Sequence, residues 1–401
     1  MRHVYLDHQS ATPVLPEVFE AMKPFLSEAC GNPSSLHSHG LLARDAIATA
    51  RSQIAAFLNA DSPDEIIFTS DGTESSNLAV KGAAWANRRN GNHIVLSQIE
   101  HPAVIASAEF LESRGFASTR VKVNAEGAVD PADILAAITD KTILIAVHHV
   151  NHEIGTIEPV RQIGAIARER GIPFYVDADS SAGWLPLDVR DWGASLLSFS
   201  PHRFYGPKGV GVLYQNRRTR LAPILHGGAQ EDGRRAGVEN VAAIVGAGVA
   251  AEIARRDLAQ RQAHCARLQK RLWDGLREKI PRLKLNGPEP GPNRHPSSLN
   301  FSTEFIEGES QLLLCDMHGI AVASGSACVT KSRKSSHVLQ AIGLDPALAR
   351  GNVLMSLGQD NTDEDVDYVL DTFPKVVAQL RSLSPTWSEF EKGIPRPDQG
   401  T

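Results

Sequence analysis

From about residue 13 to 255 the chain alternates short apolar, β-branched runs with stretches of helical spacing, the pattern of a mostly parallel sheet covered by helices on both faces. Glu65 to Thr69, Asn92 to Leu96, Thr142 to Val147, Pro173 to Asp177 and Leu196 to Phe199 read as buried strands. Each ends in polar residues or glycine, the edge at which an α/β sheet places its ligand site. Arg255 to Lys279 then keeps a helical apolar spacing at Leu258, Cys265, Leu268, Leu272 and Leu276, long enough to connect two domains. The expectation is a large α/β domain over 13–255, a smaller α+β domain built from 1–12 and 256–385, and a mobile tail over 386–401.

With 401 residues, 42% hydrophobic and 6% aromatic, the chain has enough apolar material for two packed domains. Its net charge of −5 gives no reason to bind nucleic acid or a membrane surface. No basic start followed by an apolar run opens the chain, and no stretch of about eighteen apolar residues occurs, which predicts a cytoplasmic protein. Four widely spaced cysteines, Cys30, Cys265, Cys315 and Cys328, form no CxxC pair. Neither a disulfide framework nor a metal site is expected, and any cysteine chemistry rests on one thiol.

Several strand ends carry groups that need partners. Asp177 closes a buried strand, where an unpaired carboxylate is costly; a protonated ring nitrogen and a neighbouring arginine both meet that need. Thr69 to Leu78 reads as a strand, a tight turn and a helix start, whose free N–H groups beside Thr73 or Ser75 suit a phosphate or serve as an ordinary N-cap. His101 either stacks on a planar ring or sits in the core.

The order of these groups is more specific than any one of them. Thr73, His101, Asn151 in HVNHEIGT, Asp177 in VDADSSAG, Ser200-Pro201-His202-Arg203 in SFSPHRFYGPKG and Cys328 in SGSACVT together resemble the class V branch of fold-type-I pyridoxal-phosphate enzymes. Within it the chain is most similar to cysteine desulfurases of the NifS and IscS kind, from Tyr5-Leu6-Asp7 to Ser356-Leu357-Gly358. The resemblance implies a seven-stranded-type sheet and a homodimer. It also implies that Thr73, Ser200 and His202 lie at the cofactor phosphate, that His101 stacks on the ring, that Asp177 pairs with the ring nitrogen and that Asn151 lies near the substrate and the cofactor's ring hydroxyl. Cys328 and His101 would be catalytic. Cys328 would take sulfur from L-cysteine as a persulfide and pass it to an acceptor, and Lys331, Arg333 and Lys334 beside it favour its thiolate. A solvated basic loop with an idle thiol is the alternative.

The chain also departs from the pattern it resembles. Arg203 stands where the family has its lysine, and a guanidinium that stays protonated neither condenses with an aldehyde nor relays a proton near neutral pH. Lys208 lies where the family has a further, structural lysine. Ser180 replaces a glutamine that reaches the ring hydroxyl, Val238 a threonine that reaches the phosphate of the neighbouring subunit, and Leu354 the arginine that clamps the substrate carboxylate. Three readings follow. The first is a sulfur-transfer or iron–sulfur protein without ordinary lysine-cofactor turnover, carrying sulfur or a metal on Cys328 and meeting a scaffold or sulfur acceptor. The second is an active enzyme with non-covalently held pyridoxal phosphate, and the third a non-enzymatic dimeric interaction module.

Overall fold

The structure is a computed structural model that describes residues 2–324 and 336–393. After a short strand β1 (Val4–Tyr5), a seven-stranded sheet forms from β2 (Ile66–Thr69), β3 (His93–Ser97), β4 (Ala117–Val121), β5 (Thr142–Ala146), β6 (Phe174–Asp177), β7 (Leu196–Phe199) and β8 (Gly211–Gln215). Its order is β2-β8-β7-β6-β5-β3-β4, with β8 antiparallel to both neighbours and every other pairing parallel. The expected mostly parallel α/β sheet is the observed one.

Apolar runs serve as strands here because both faces are covered. Val95, Ile145, Val176 and Leu197 join one core, while Ile94, Leu96, Leu144, Tyr175 and Leu196 join the other. Successive side chains point to opposite faces, so both sets must be largely apolar, and the polar groups among them pair internally, as Tyr175 does with Ser198 at 2.7 Å. On the first face the helix Val160–Arg170 lies so close that a Cβ on Gly164 would sit 1.7 Å from the Trp192 carbonyl oxygen. Gly164→Ala is therefore expected to lower stability by about 1–3 kcal/mol or more, because backbone cannot rotate out of the way as a side chain can. The midpoint of urea unfolding reads this, and an unchanged midpoint would mean the helix shifts freely.

A second core surrounds a three-stranded antiparallel sheet made by β9 (Leu283–Leu285), β10 (Ser298–Thr303) and, after β11 (Ile320–Ala321), β12 (Asn352–Ser356), in the order β12-β10-β9. β1 pairs in parallel with β11, and Val4 and Leu6 are buried in this core together with Phe301, Met355 and Phe373.

The connecting helix is longer than its apolar spacing predicts. It runs from Val241 to Lys279, with the Asn240 side chain accepting from the Ala243 amide at 3.2 Å. Its first part is rich in alanine and glycine, and its larger apolar residues, Val241, Ile244, Val245, Val249 and Ile253, are all β-branched, a composition that favours strand as much as helix. It packs through small contacts: a Cβ on Gly248 would lie 2.7 Å from the Cα of Ala50 in the helix Ser38–Leu58. Ala243 to Ala254 belong to the large sheet's core, and Leu268 to Leu276 to the small sheet's. Residue 255 therefore falls inside one continuous helix.

The expected tail also needs correction. Pro385–Glu391 is a helix whose Trp387 and Phe390 rings lie 5.4 and 5.1 Å from Phe305, with Arg282 over Phe390 at 4.2 Å. Those aromatics give the segment a surface to bury, which its proline- and glycine-rich sequel hides in the sequence. Residues 394–401 lie outside the described residues. No helix among the described residues is long and apolar enough to cross a membrane.

Candidate active site

The candidate residues converge where the parallel strands end. β6 delivers Asp177, the turn after β7 delivers Ser200, His202 and Arg203, the turn after β3 delivers His101, and the helix after β2 begins at Gly72 and Thr73. Asp177 is buried, and its Oδ1 accepts the Asp179 amide at 2.9 Å. Burial first, then the charge of Asp179, pushes its pKa up to about 7.

At the helix start Asp71 caps the chain by accepting from the Glu74 amide at 2.7 Å, and the Gly72 amide donates to Ser200 Oγ at 2.8 Å. Thr73 is exposed beside them. Gly72 is crowded by side chains, since a Cβ there would lie 2.6 Å from Ser200 Oγ and 2.7 and 2.9 Å from the two carboxylate oxygens of Asp179. Asp179, not expected from the sequence, thus stands over the helix start.

Arg203 faces the same carboxylate. Its Nε is 3.3 Å from Asp179 Oδ2, with the side chains 16% and 20% exposed, and its Nη1 donates to the Gln9 carbonyl. The Trp184 indole donates to the Arg203 carbonyl at 2.9 Å and fixes the backbone. Arg203 Nε and Asp179 Oδ1 are both buried without a hydrogen-bond partner in the protein. The pair is a charge contact, not a bidentate fork.

Three imidazoles line the other side. His101 lies 5.1 Å from His152 between ring centroids, and His152 lies 6.4 Å from His337. Burial, then the Arg203 charge, lowers His101 to about 4, and burial, then His101, holds His152 well below the usual range. His202 and His337 are also lowered, chiefly by burial. The cluster is neutral at physiological pH and adds no positive charge to the pocket. Asn151 spends its side chain on backbone: Nδ2 donates to the Ile99 carbonyl at 3.1 Å, and Oδ1 accepts from the Glu153 and Ile154 amides at 2.9 and 3.0 Å. Its neighbour His152 is the residue turned toward His101.

Behind His101 lies a buried ion cluster. Glu100 Oε1 accepts from Ser97 Oγ at 2.5 Å and lies 2.8 Å from His148 Nδ1, while Glu158 Oε1 lies 3.6 Å from His148 Nε2. Burial opposes charging of His148, yet Glu100 and Glu158 outweigh it and raise its pKa to about 9. Ser336 donates to Glu153 Oε2 at 2.6 Å, and burial pushes Glu153 up to about 8.

Of the remaining sequence candidates, Ser180 is buried near the pocket, Val238 is exposed, and Leu354 is buried in β12 opposite Asn300. Lys208 is exposed, and Arg235 is tied to Glu74 at 2.9 and 3.2 Å. Cys328, Lys331, Arg333 and Lys334 lie outside the described residues. Cys265 and Cys315 are buried, with thiols pushed by that burial to about 12, and are inert. Among the described residues no cluster of histidine, cysteine and carboxylate is arranged to hold a metal.

Known proteins resemble this chain over nearly its whole length. The class-V aminotransferase family matches residues 4–369. The chain is 46% identical over 391 residues to cysteine desulfurase IscS of Clostridium botulinum, covering 98% of each. It is 42% identical over 397 residues to the IscS of Klebsiella pneumoniae, covering 98% of this chain and 96% of the relative. Among solved structures, a NifS-like protein superposes with a TM-score of 0.89 at 33% identity, over 94% of this chain and 100% of that one. A NifS-like protein from Rickettsia africae gives 0.84 at 27% identity, over 94% and 100%.

Proposed function

This chain belongs to the class-V aminotransferase family, among relatives that are cysteine desulfurases, and from that premise we propose that it is a cytoplasmic, homodimeric sulfur-transfer protein that works without a lysine-bound cofactor. The observation that carries the proposal is Arg203 in the lysine's place, ion-paired to Asp179. Cys328 is the sulfur carrier and hands its persulfide to a sulfur-acceptor or iron–sulfur scaffold protein. We take the large domain as 13–255 and the small one as 1–12 and 256–385, which the two separate cores support.

Pyridoxal phosphate is the family's cofactor, and these residues do not fit it as the family holds it. Arg203 offers no amine, and a carboxylate stands over the helix start, where the phosphate would lie. Sulfur transfer at Cys328 needs neither. The Cys328 thiolate attacks the outer sulfur of a persulfide donor, the donor's S–S bond breaks, and the donor leaves as a thiolate. The reverse exchange loads the acceptor thiolate, with no net oxidation.

One observation favours active turnover with a non-covalently held cofactor: Asp177 is buried at a strand end, a place suited to pairing with a cationic ring nitrogen. Absorbance and sulfide release separate the two readings. The purified protein is expected to be colourless, to release negligible sulfide from L-cysteine, and to gain one sulfur by mass on treatment with a small persulfide donor, a gain lost in Cys328→Ser. A cofactor band with rapid sulfide release would sink the carrier reading, as would a Cys328→Ser protein that still gains sulfur when the exposed Cys30 is also replaced by serine in both proteins.

A further inference from the structure

Asp179 and Arg203 face each other across the start of the helix at Gly72. We infer that they form a built-in ion pair filling both the anionic and the covalent positions of a cofactor pocket, and that Asp179 sets how weakly the pocket holds a phosphate group. The inference rests on the reading above that Arg203 makes no bond to the cofactor aldehyde.

The helical path runs from Gly72 through Leu78–Gly82 to Asn87, so its first amides form the positive end of an extended helix. That end is where an anion is stabilised, and the chain already supplies one. Both carboxylate oxygens of Asp179 lie within 2.9 Å of the position a Cβ on Gly72 would take, and Ser200 Oγ lies within 2.6 Å of it. The Gly72 amide is already donated to that same hydroxyl. A phosphate entering here meets a like charge in a partly buried setting, where repulsion is stronger than in water.

Arg203 offers the phosphate little compensation. Its guanidinium is turned to Asp179 and to the Gln9 carbonyl, and the Trp184 indole holds its backbone in place. Each member of the pair needs the other, because an unpaired charge in so enclosed a place is costly. The orphaned Arg203 Nε and Asp179 Oδ1 show that proximity alone holds the two together. Removing the Asp179 charge therefore withdraws a repulsion and frees a cation in one step. The same carboxylate raises the pKa of Asp177, second only to burial, which weakens Asp177 as a partner for a cationic ring.

The test compares the full-length parent with Asp179→Asn, a near-isosteric change that removes the charge and turns one acceptor oxygen into an amide donor, and with Asp179→Ser, which adds no amide donor. Pyridoxal phosphate, inorganic phosphate and phosphate-free pyridoxal are titrated separately and followed by calorimetry and by tryptophan fluorescence, for which Trp184 is the adjacent reporter. Asp179→Asn is expected to bind both phosphate-bearing probes at least about tenfold more tightly, and pyridoxal with unchanged affinity. Equal phosphate affinity in parent and variant overturns the inference, as does a gain for pyridoxal as large as that for pyridoxal phosphate. Should the asparagine variant fail to fold, Asp179→Ser decides between the same outcomes. A parent protein found with covalently held cofactor would sink the functional reading above, whereas the inorganic-phosphate comparison still decides this one.

Discussion

His148→Leu is expected to cost about 3–5 kcal/mol of stability at neutral pH, the range for removing one partner of a buried charge cluster. Glu100 and Glu158 are buried with it, and the two contacts of 2.8 and 3.6 Å are charge contacts to a single imidazole. Leucine restores volume but leaves two carboxyl groups facing each other without the cation between them. The loss depends on pH with a definite sign. His148 has its folded pKa raised from 6.5 to about 9, so its contribution is fully present below 6.5 and fades as pH rises through 9. At 1.36 kcal/mol per unit this amounts to about 3 kcal/mol across that window, as an order of magnitude. Glu158, raised by burial to about 7, also favours the protonated form when folded, so its share of stability declines as pH climbs from 4.5. The variant's deficit is therefore largest below about pH 6.5 and shrinks as pH rises through about 9, where the parent loses the imidazolium as well. Urea midpoints from about pH 4 to 9 measure this, and a deficit independent of pH would show that lost packing, not charge, is responsible.

What the sequence made legible follows from how each feature is encoded. The central strands were readable because burial on both faces demands unbroken apolar runs, as in Ile143-Leu144-Ile145. The start of the long helix was not, because its larger apolar residues, Val241, Ile244, Val245, Val249 and Ile253, are β-branched and set among alanine and glycine, so the four-residue spacing competes with a strand-like composition. The pocket could be assembled from strand ends, since Asp177 closes an apolar run, Ser200 follows one and His101 lies a few residues past another. Asp179 escaped notice because its meaning is tertiary: the charge it answers lies on the turn after another strand, and its contact with Gly72 depends on how three strand ends meet. His152 and Asn151 are a closer case. Both belong to one short motif, and only the turn's backbone decides that Asn151 spends its side chain on amides while His152 faces His101. A turn lacks the fixed side-chain period of a helix or strand, so sequence spacing does not choose between neighbours there.

Arg203→Lys is expected to give the largest functional change of any single substitution: a protein that, once treated with borohydride to reduce the imine, retains pyridoxal phosphate through denaturing gel filtration, with sulfide release from L-cysteine rising by about 10²–10⁴-fold, the usual worth of a well-placed general acid–base. Lysine supplies an amine that can shed its proton, and a buried amine shifts its pKa readily toward neutrality, whereas a guanidinium does neither. The rate should still fall short of that of lysine-bearing relatives, because the remaining departures act on different needs. Leu354 is buried in β12 and offers the substrate carboxylate no hydrogen bonds. Such bonds are worth about 1.5–3 kcal/mol each to a charged group, so KM should stay raised by at least about tenfold even as kcat recovers. Asp179 would persist as the new lysine's ion partner, favouring its protonated form and slowing attack on the aldehyde. Adding Asp179→Asn to Arg203→Lys should therefore increase covalent retention further, while Asp179→Asn alone, with arginine still at 203, should give none. A parent protein as fast as the lysine variant would sink this account, because the guanidinium would then be no obstacle to the chemistry. A lysine variant with full turnover and an ordinary KM would show instead that Leu354, Ser180 and Val238 are neutral changes and that Arg203 alone silences the pocket.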